Sequence, residues 1–289
     1  MSRIRPRERD AILQSLSAGV VPRRGHQHIQ VGRSNEIEAL MRDLERIADG
    51  GAAVRFVIGR YGSGKTFFMH LMRSIGLEQG LVTMHADLAP DRRLQASGGQ
   101  AQNLYQELAV NVATRTKPEG NALQSVVEKF IGQAVLEAKQ SDRSISGVMD
   151  EKLNALSEMV GGYDFASVIQ AYWKGHDEGP AELKEQAVRW LRGEYTTKTD
   201  VKSDLGIRSY VDDNSLYDHL KLFARFVRLA GYSGLLISLD EMVNLYKISH
   251  TVSRTANYEQ ILRIVNDCLQ GSVSGLGFMM GGTPEFLMD

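Results

Sequence analysis

Cysteine is nearly missing from this 289-residue sequence. Cys268 stands alone, so no internal disulfide can form and a metal site built from several cysteines is excluded. A chain without disulfides is typical of a reducing compartment, and we therefore expect a cytoplasmic location. Cys268 also falls in an apolar pattern of helical spacing, which predicts a buried and inert thiol. The seven histidines show no spacing typical of zinc ligands, so no zinc site is predicted.

Long apolar runs and an excess of either charge are also missing. No apolar run reaches the length of about 18 residues that marks a membrane-spanning helix, so we expect no transmembrane segment. The N-terminus is charged rather than apolar, so we expect no secretory signal peptide there. The net charge of −1 argues against a protein that mainly coats nucleic acid. Residues 1–30 are predicted to form a basic arm and a short helix, and the arm is either solvated or in contact with DNA phosphates.

A glycine-rich loop is the strongest motif in the chain. It matches the pattern G-x-x-x-x-G-K-[ST] at every fixed position, follows a β-rich run at 54–58 and precedes an apolar helical pattern. In that context the loop N–H groups and the helix N-terminus bind phosphate. Lys65 is expected to reach the β- and γ-phosphates, and the Thr66 hydroxyl to bind Mg²⁺. The alternative is a glycine turn with a chance Lys-Thr pair. The predicted nucleotide-binding residues of the loop are Gly59, Arg60, Tyr61, Gly62, Ser63, Gly64, Lys65 and Thr66.

Two adjacent acids, Asp240 and Glu241, close an apolar run at 234–239. Apolar residues that lead to acids are typical of a buried parallel strand and its carboxyl end, where α/β proteins place their ligands. We expect Asp240 to hold Mg²⁺ through water and Glu241 to orient and polarise an attacking water. This pattern is specific only in combination with the glycine-rich loop, and an exposed turn is the alternative.

Three further residues are weaker candidates. Thr283 ends the next apolar run, at 275–283, and is expected to contact the γ-phosphate or the water, although a Gly-Gly-Thr-Pro turn also explains it. Arg254 precedes a helix predicted from residue 258 and is either an arginine finger for a neighbouring subunit or a surface arginine. Asp87 ends the second predicted strand, where it either shapes the site or caps a helix.

The apolar periodicity divides the chain into three parts after the N-terminal arm. Residues 31–93 carry a helix with a predicted cap at Asn35, the glycine-rich loop and two strands. Residues 94–231 show five helical stripes and little strand character, with a polar surface loop predicted at 194–204. Residues 232–289 return to strand, helix and strand. The predicted fold class is α/β, with a P-loop NTPase parallel sheet, helices on both faces and a large helical insertion at 94–231.

Taken with several other stretches, these motifs resemble the ATP-binding proteins of bacterial BREX phage-defence systems. The resemblance implies an AAA+-like, origin-recognition-like ATPase core that uses ATP and Mg²⁺ beside helicase or DNA-modification partners. Members of the family continue beyond the last matching stretch, so we expect a C-terminal lid to be missing from this chain. The matching stretches cover nearly the whole chain and lie at 59–66, 163–175, 189–195, 217–232, 239–246, 257–262 and 281–285.

Two details of the resemblance concern the nucleotide. Gly32 and Arg33 belong to a G-R-x-x-E arrangement that resembles the segment of AAA+ and STAND ATPases lying over the adenine, which implies ATP rather than GTP. A plain helix start is the alternative for this short motif. Thr283 lies where AAA+ proteins place a polar residue, although asparagine is commoner there.

The sequence thus leads to two hypotheses of different classes. The first is a Mg²⁺-dependent ATPase in which Lys65, Glu241 and Thr283 are catalytic and Thr66 and Asp240 hold the metal. The second is a nucleotide-controlled switch or scaffold with little turnover, which acts through exchange of partners. A small-molecule kinase fits less well, because an adjacent acid pair suits activation of water. Self-association, partner defence proteins and DNA are the expected interactions, and no membrane is expected.

Overall fold

The computed structural model describes residues 34–177 and 179–287, together with Asp10 and Gln14. Nearly all of the predicted N-terminal arm and short helix lies outside the described residues, and so do Gly32 and Arg33. Within the described part of the chain, no helix combines the length and the apolar character needed to cross a membrane.

Four parallel strands form the central sheet, in the order β1-β4-β3-β2. Each connection between consecutive strands contains helices, as parallel pairing requires. β4 therefore lies between the strand that leads into the glycine-rich loop and the strand that ends at the acid pair. The strands are β1 (Ala52–Ile58), β2 (Val82–Asp87), β3 (Leu235–Asp240) and β4 (Leu276–Gly282).

Helices flank this sheet, which confirms the predicted mixed α/β architecture. Short 3₁₀ turns occupy Asn154–Leu156 and Pro284–Leu287. The helices are α1 (Ser34–Ala48), α2 (Lys65–Glu78), α3 (Gln100–Val110), α4 (Leu123–Ser141), α5 (Ile145–Leu153), α6 (Gly162–Asp177), α7 (Ala181–Leu191), α8 (Lys198–Leu205), α9 (Leu216–Leu229), α10 (Val243–Tyr246) and α11 (Thr251–Gln270).

Side chains alternate between the two faces of the sheet, because successive strand residues point in opposite directions. On one face, α1 and α2 cover a small apolar cluster that includes Leu44, Ala53, Val57, Met72, Leu236 and Met279. On the other face, one continuous core joins the sheet to the helices of the insertion, and it includes Phe130, Phe165, Phe226, Ile237, Phe278 and Met280. Because this core crosses the predicted boundaries at 93 and 231, the domain division stays a prediction.

The predicted burial of Cys268 is confirmed, because its thiol belongs to the larger core. Burial, helped by the charge of Asp267, raises the pKa of this thiol to about 11. The thiolate is the nucleophilic form of cysteine, so this residue is chemically quiet near neutral pH.

Three local predictions were wrong. The polar stretch at 194–204 contains a helix, α8, because the Thr197 hydroxyl accepts a hydrogen bond from Asp200 N and Gly206 ends the helix in the left-handed region. Helix α1 begins at Ser34, so Asn35 is not its cap. Helix α11 begins at Thr251 rather than near residue 258, with His250 as its N-terminal cap. The short helix α5 has no counterpart among the predicted elements.

The insertion is anchored to the outer edge of β2. Thr83 and Ala113 exchange two backbone hydrogen bonds in an isolated bridge. Asn111 Nδ2 donates to the His85 carbonyl oxygen at 3.0 Å. Arg73, on α2, donates to the Pro118 carbonyl oxygen at 3.0 Å. The segment that follows α3 is therefore held by both the sheet and the helix that begins at the glycine-rich loop.

Candidate functional site

The glycine-rich loop connects the end of β1 directly to the start of α2. Its backbone passes through the left-handed region at Gly62 (φ 75°) and Gly64 (φ 83°), where a side chain would be unfavourable. Gly64 is the residue immediately before the first turn of α2, so the free N–H groups of that turn face the loop. Most of the loop is exposed, and Tyr61 is 68% exposed, so a ligand can approach it from solvent.

Lys65 spans this loop. Its Nζ donates to the carbonyl oxygens of Gly59 at 2.8 Å and Arg60 at 3.1 Å. Nζ also lies 5.5 Å from the centre of the Tyr61 ring. The ammonium group is therefore held over the concave side of the loop, where its charge faces the same space as the first N–H groups of α2.

Thr66 and Asp240 meet although 174 positions separate them in the sequence. The Thr66 hydroxyl donates to Asp240 Oδ2 at 2.9 Å. The other carboxylate oxygen, Oδ1, accepts a hydrogen bond from the backbone N–H of Glu241 at 2.8 Å. These two contacts fix the orientation of the Asp240 carboxylate at the start of α2.

Glu241 leaves the strand through an unusual backbone conformation. Its φ of 59° lies in the left-handed region, which costs a residue with a side chain roughly 1–2 kcal/mol. A tight turn maintains this conformation, since Asn244 N donates to the Glu241 carbonyl oxygen at 2.9 Å and Met242 N donates to Gly281 O at 2.9 Å. This turn ends β3 at the acid pair.

A third carboxylate, Asp87, is the register partner of Asp240 on the neighbouring strand. Burial and the negative charge of Asp240 raise the pKa of Asp87. Burial, Asp240 and Asp87 raise the pKa of Glu241, whereas the Lys65 charge lowers it. The site therefore brings three carboxylates close together, and a bound cation would relieve their mutual repulsion.

The donor set at this point fits Mg²⁺. The Thr66 hydroxyl and the Asp240 carboxylate are hard oxygen ligands, and Mg²⁺ in nucleotide sites takes one or two such ligands with phosphate and water. Across the ranges 34–177 and 179–287, no group of three or more His, Cys, Asp or Glu side chains is arranged to hold a metal by itself. A metal at Thr66 and Asp240 would accordingly depend on the nucleotide for its remaining ligands.

Thr283 follows β4, the strand between the loop strand and the acid strand. The residue is 4% exposed, and Gly282 O just before it accepts a hydrogen bond from Gly59 N at 3.1 Å. The Thr283 hydroxyl lowers the pKa of the neighbouring Glu285, although their contact lacks hydrogen-bond geometry. The fold thus places Thr283 beside the base of the glycine-rich loop.

Arg254 lies inside α11 rather than before it. Its Nη1 donates to the Ile248 carbonyl oxygen at 3.1 Å, within the same chain. The arginine-finger role stays a prediction, and so do the adenine contacts of Gly32 and Arg33, which lie outside the described residues.

Comparison with protein-family models matches residues 4–289 to the family described as BREX system ATP-binding protein BrxC/D. The chain belongs to this family. The match confirms the resemblance stated from the sequence, and the family description indicates ATP binding. Comparisons with curated proteins and with solved structures give no significant match.

Three residues that support the site of this BREX family member escaped the sequence reasoning. His85 and Ser238 are register partners two residues before Asp87 and Asp240 on the same two strands, and they face α2. The available signal was polar spacing, since Thr83, His85 and Asp87 alternate along β2. A serine inside the apolar run of β3 was a second signal. Gly281 had no sequence signal, because its importance comes from the adjacent strand.

Gly281 allows Asp240 to approach β4. A methyl group at this position would overlap Asp240 Oδ1 and the sulfur of Met69. We expect Gly281→Ala to lower the free energy of unfolding by about 1–3 kcal/mol, the usual range for overpacking. Because the Asp240 carboxylate would be displaced, the Mg²⁺ concentration needed for ATP binding should rise. Urea unfolding and calorimetric titration of ATP at several Mg²⁺ concentrations measure the two effects.

Gly132→Ala is the matched control for this substitution. Gly132 lies in α4, and a methyl group there meets nothing within 4 Å. Alanine in an exposed helix interior stabilises a protein by about 0.5–1 kcal/mol relative to glycine. Wild-type stability and wild-type Mg²⁺ dependence in Gly281→Ala would contradict the close packing described here.

Proposed function

We propose that this protein is a Mg²⁺-dependent ATPase. One observation carries the proposal: the Thr66 hydroxyl meets the Asp240 carboxylate at the first turn of a helix that follows a glycine-rich loop. At this contact the glycine-rich loop, a hydroxyl and an acid come close together. The family description supports ATP as the nucleotide.

Each residue would contribute a separate part of the chemistry. The loop N–H groups and Lys65 would hold the β- and γ-phosphates. Thr66 and Asp240 would hold Mg²⁺, which neutralises phosphate charge when it is bound. Glu241 would accept a hydrogen bond from the attacking water and orient it in line with the γ-phosphate. Its raised pKa brings the carboxylate nearer to the range in which a general base works well.

The order of the strands supports an AAA+-like class. β4 separates the loop strand from the acid strand, so a polar residue at its end stands between the two halves of the site. Thr283 would contact the γ-phosphate or the attacking water from this position. Thr283 is buried, so its hydroxyl has few hydrogen-bond partners other than a bound phosphate or water. The alternative is that Thr283 is buried only because it belongs to the turn that ends β4.

The wider role of the protein is also a proposal. We infer that ATP binding or hydrolysis changes its self-association or its contact with partner defence proteins, such as helicase or DNA-modification components, and that DNA takes part in the assembly. This inference depends on membership in the BREX family. The predicted basic arm at 1–30 is the segment most suited to contact DNA phosphates.

Release of phosphate from ATP tests the proposal. The full chain should bind ATP more tightly with Mg²⁺ than with EDTA, and it should release phosphate at a measurable rate. Sedimentation with and without ATP, in the presence and absence of double-stranded DNA, would show whether assembly depends on the nucleotide. Tight Mg²⁺-dependent binding without turnover, alone or with DNA, would favour the switch or scaffold. ATP binding that is indifferent to Mg²⁺ would overturn the proposed metal site.

A further inference from the structure

A small cavity lies behind the proposed metal site, between α2 and the strands β2 and β3. Its volume is about 40 Å³. Most of the sheet face under α1 and α2 is apolar, so polar side chains at this end need an explanation. The polar residues that line the cavity and matter here are Thr66, Arg73, His85, Asp87, Ser238 and Asp240.

Ser238 is the first of two buried groups without a partner. It interrupts the apolar strand β3, is 4% exposed, and points toward α2 on the same face as Asp240. Among the residues that the structure describes, its hydroxyl has no hydrogen-bond partner. A buried hydroxyl is unfavourable unless it is hydrogen-bonded, so a partner of another kind is needed.

His85 supplies the second group. Its Nε2 lies 3.5 Å from Arg73 Nη1. Arginine offers only donors, so Nε2 must carry the lone pair and Nδ1 must carry the proton. Nδ1 is buried and has no hydrogen-bond partner in the described part of the chain. Burial, together with the charges of Arg73 and His70, lowers the pKa of His85 to about 3, so the ring is neutral.

The two groups face each other across neighbouring strands. His85 and Ser238 are register partners, as are Asp87 and Asp240 two residues further along the same strands, toward the proposed metal site. The cavity exceeds the roughly 10–15 Å³ that one water requires, and a buried water needs two to four polar partners. A water here would accept from His85 Nδ1, bond with Ser238 Oγ and donate to a carboxylate with acceptor sites left, Asp87 or Asp240.

We propose that Ser238 and His85 are positioning residues, which hold an ordered water against the Asp87–Asp240 pair and thereby orient Asp240 for the metal. This inference rests on the proposed function, since it concerns how well Asp240 binds Mg²⁺. Neither residue is expected to touch the nucleotide or the metal. Groups that orient metal ligands from behind commonly change metal affinity about tenfold or more when they are removed.

The Mg²⁺ dependence of nucleotide binding tests this role without relying on turnover. A non-hydrolysable ATP analogue is titrated by calorimetry into Ser238→Ala at several Mg²⁺ concentrations and in EDTA. The half-saturating Mg²⁺ concentration should rise about tenfold, whereas the analogue affinity in EDTA should stay within about twofold. Ser238→Thr keeps the hydroxyl and should restore the wild-type requirement.

A second pair of variants covers the case in which Ser238→Ala fails to fold. His85→Leu removes the donor and should raise the Mg²⁺ requirement, whereas His85→Asn places an amide N–H near the position of Nδ1 and should lower it again. An unchanged requirement in folded Ser238→Ala, or an equal loss in Ser238→Thr, would overturn the proposal. Wild-type binding that does not respond to Mg²⁺ would instead overturn the proposed function itself.

Discussion

Lys65→Ala is expected to reduce ATP affinity at least about 100-fold, which corresponds to roughly 2.7 kcal/mol. The ammonium group now donates to Gly59 O and Arg60 O on the concave side of the loop. With ATP bound, the same group would exchange these neutral acceptors for phosphate oxygens, and charge-assisted hydrogen bonds are about twice as strong. Calorimetric titration with Mg²⁺ and ATP measures the loss.

The control for this variant is Lys247→Ala. Lys247 is exposed and its charge acts on Glu241 from outside the loop. Lys247→Ala removes one positive charge from the same region and leaves the proposed phosphate-binding residues unchanged. Because exposed charges are screened by salt, ATP affinity should change less than about threefold. Thermal unfolding of both variants shows whether each has folded. Normal ATP binding by folded Lys65→Ala would refute the assignment of the loop.

Glu241→Gln is expected to slow ATP hydrolysis by about 100- to 10,000-fold, the contribution of a positioned general base. Glutamine has nearly the same shape and keeps a hydrogen-bond acceptor, so it should preserve the turn at φ 59° while losing the ability to take a proton. ATP affinity should remain within about threefold of wild type, and the protein should therefore accumulate with ATP bound. Single-turnover release of phosphate and filter-bound ATP measure the two quantities.

Glu285→Gln is the matched control for the water-positioning role. Glu285 is an exposed carboxylate two residues after Thr283. The Thr283 hydroxyl and, to a smaller extent, the charges of Arg60 and Lys65 lower its pKa, so it is near the loop but outside the acid pair. Hydrolysis in this variant should stay within about threefold of wild type. If Glu285→Gln lost turnover while Glu241→Gln kept it, the role assigned to Glu241 would be wrong. Little change in either variant would favour a switch or scaffold.

The elements around the loop were predictable because their signals are local. A β-rich run, a glycine loop and an apolar helical pattern follow one another within about 25 residues, and β1 and α2 lie there. The same holds for the apolar run that ends at Asp240. The starts of α1 and α11 were misplaced because several neighbouring polar residues could each cap the helix. Helix propensity distinguishes poorly between such neighbours.

The helical insertion was predictable as a set of amphipathic helices but not as a neighbour of the site. Its contacts with β2 pass through Asn111 and Ala113 and its contact with α2 through Pro118, none of which carries a recognisable motif. The helix α8 was missed because its sequence is polar and only Val201 is buried. A helix stabilised mainly by its caps leaves little apolar periodicity to read.

By itself, the sequence determined the glycine-rich loop, the acid pair and the α/β class, because each depends on residues close together in the chain. The tertiary structure decided which distant residues meet. The hydrogen bond from Thr66 to Asp240, the pairing of Asp87 with Asp240 and the space that Gly281 leaves all follow from the order of the strands. Strand order results from long-range packing of two sheet faces against different helices, and no local periodicity records it.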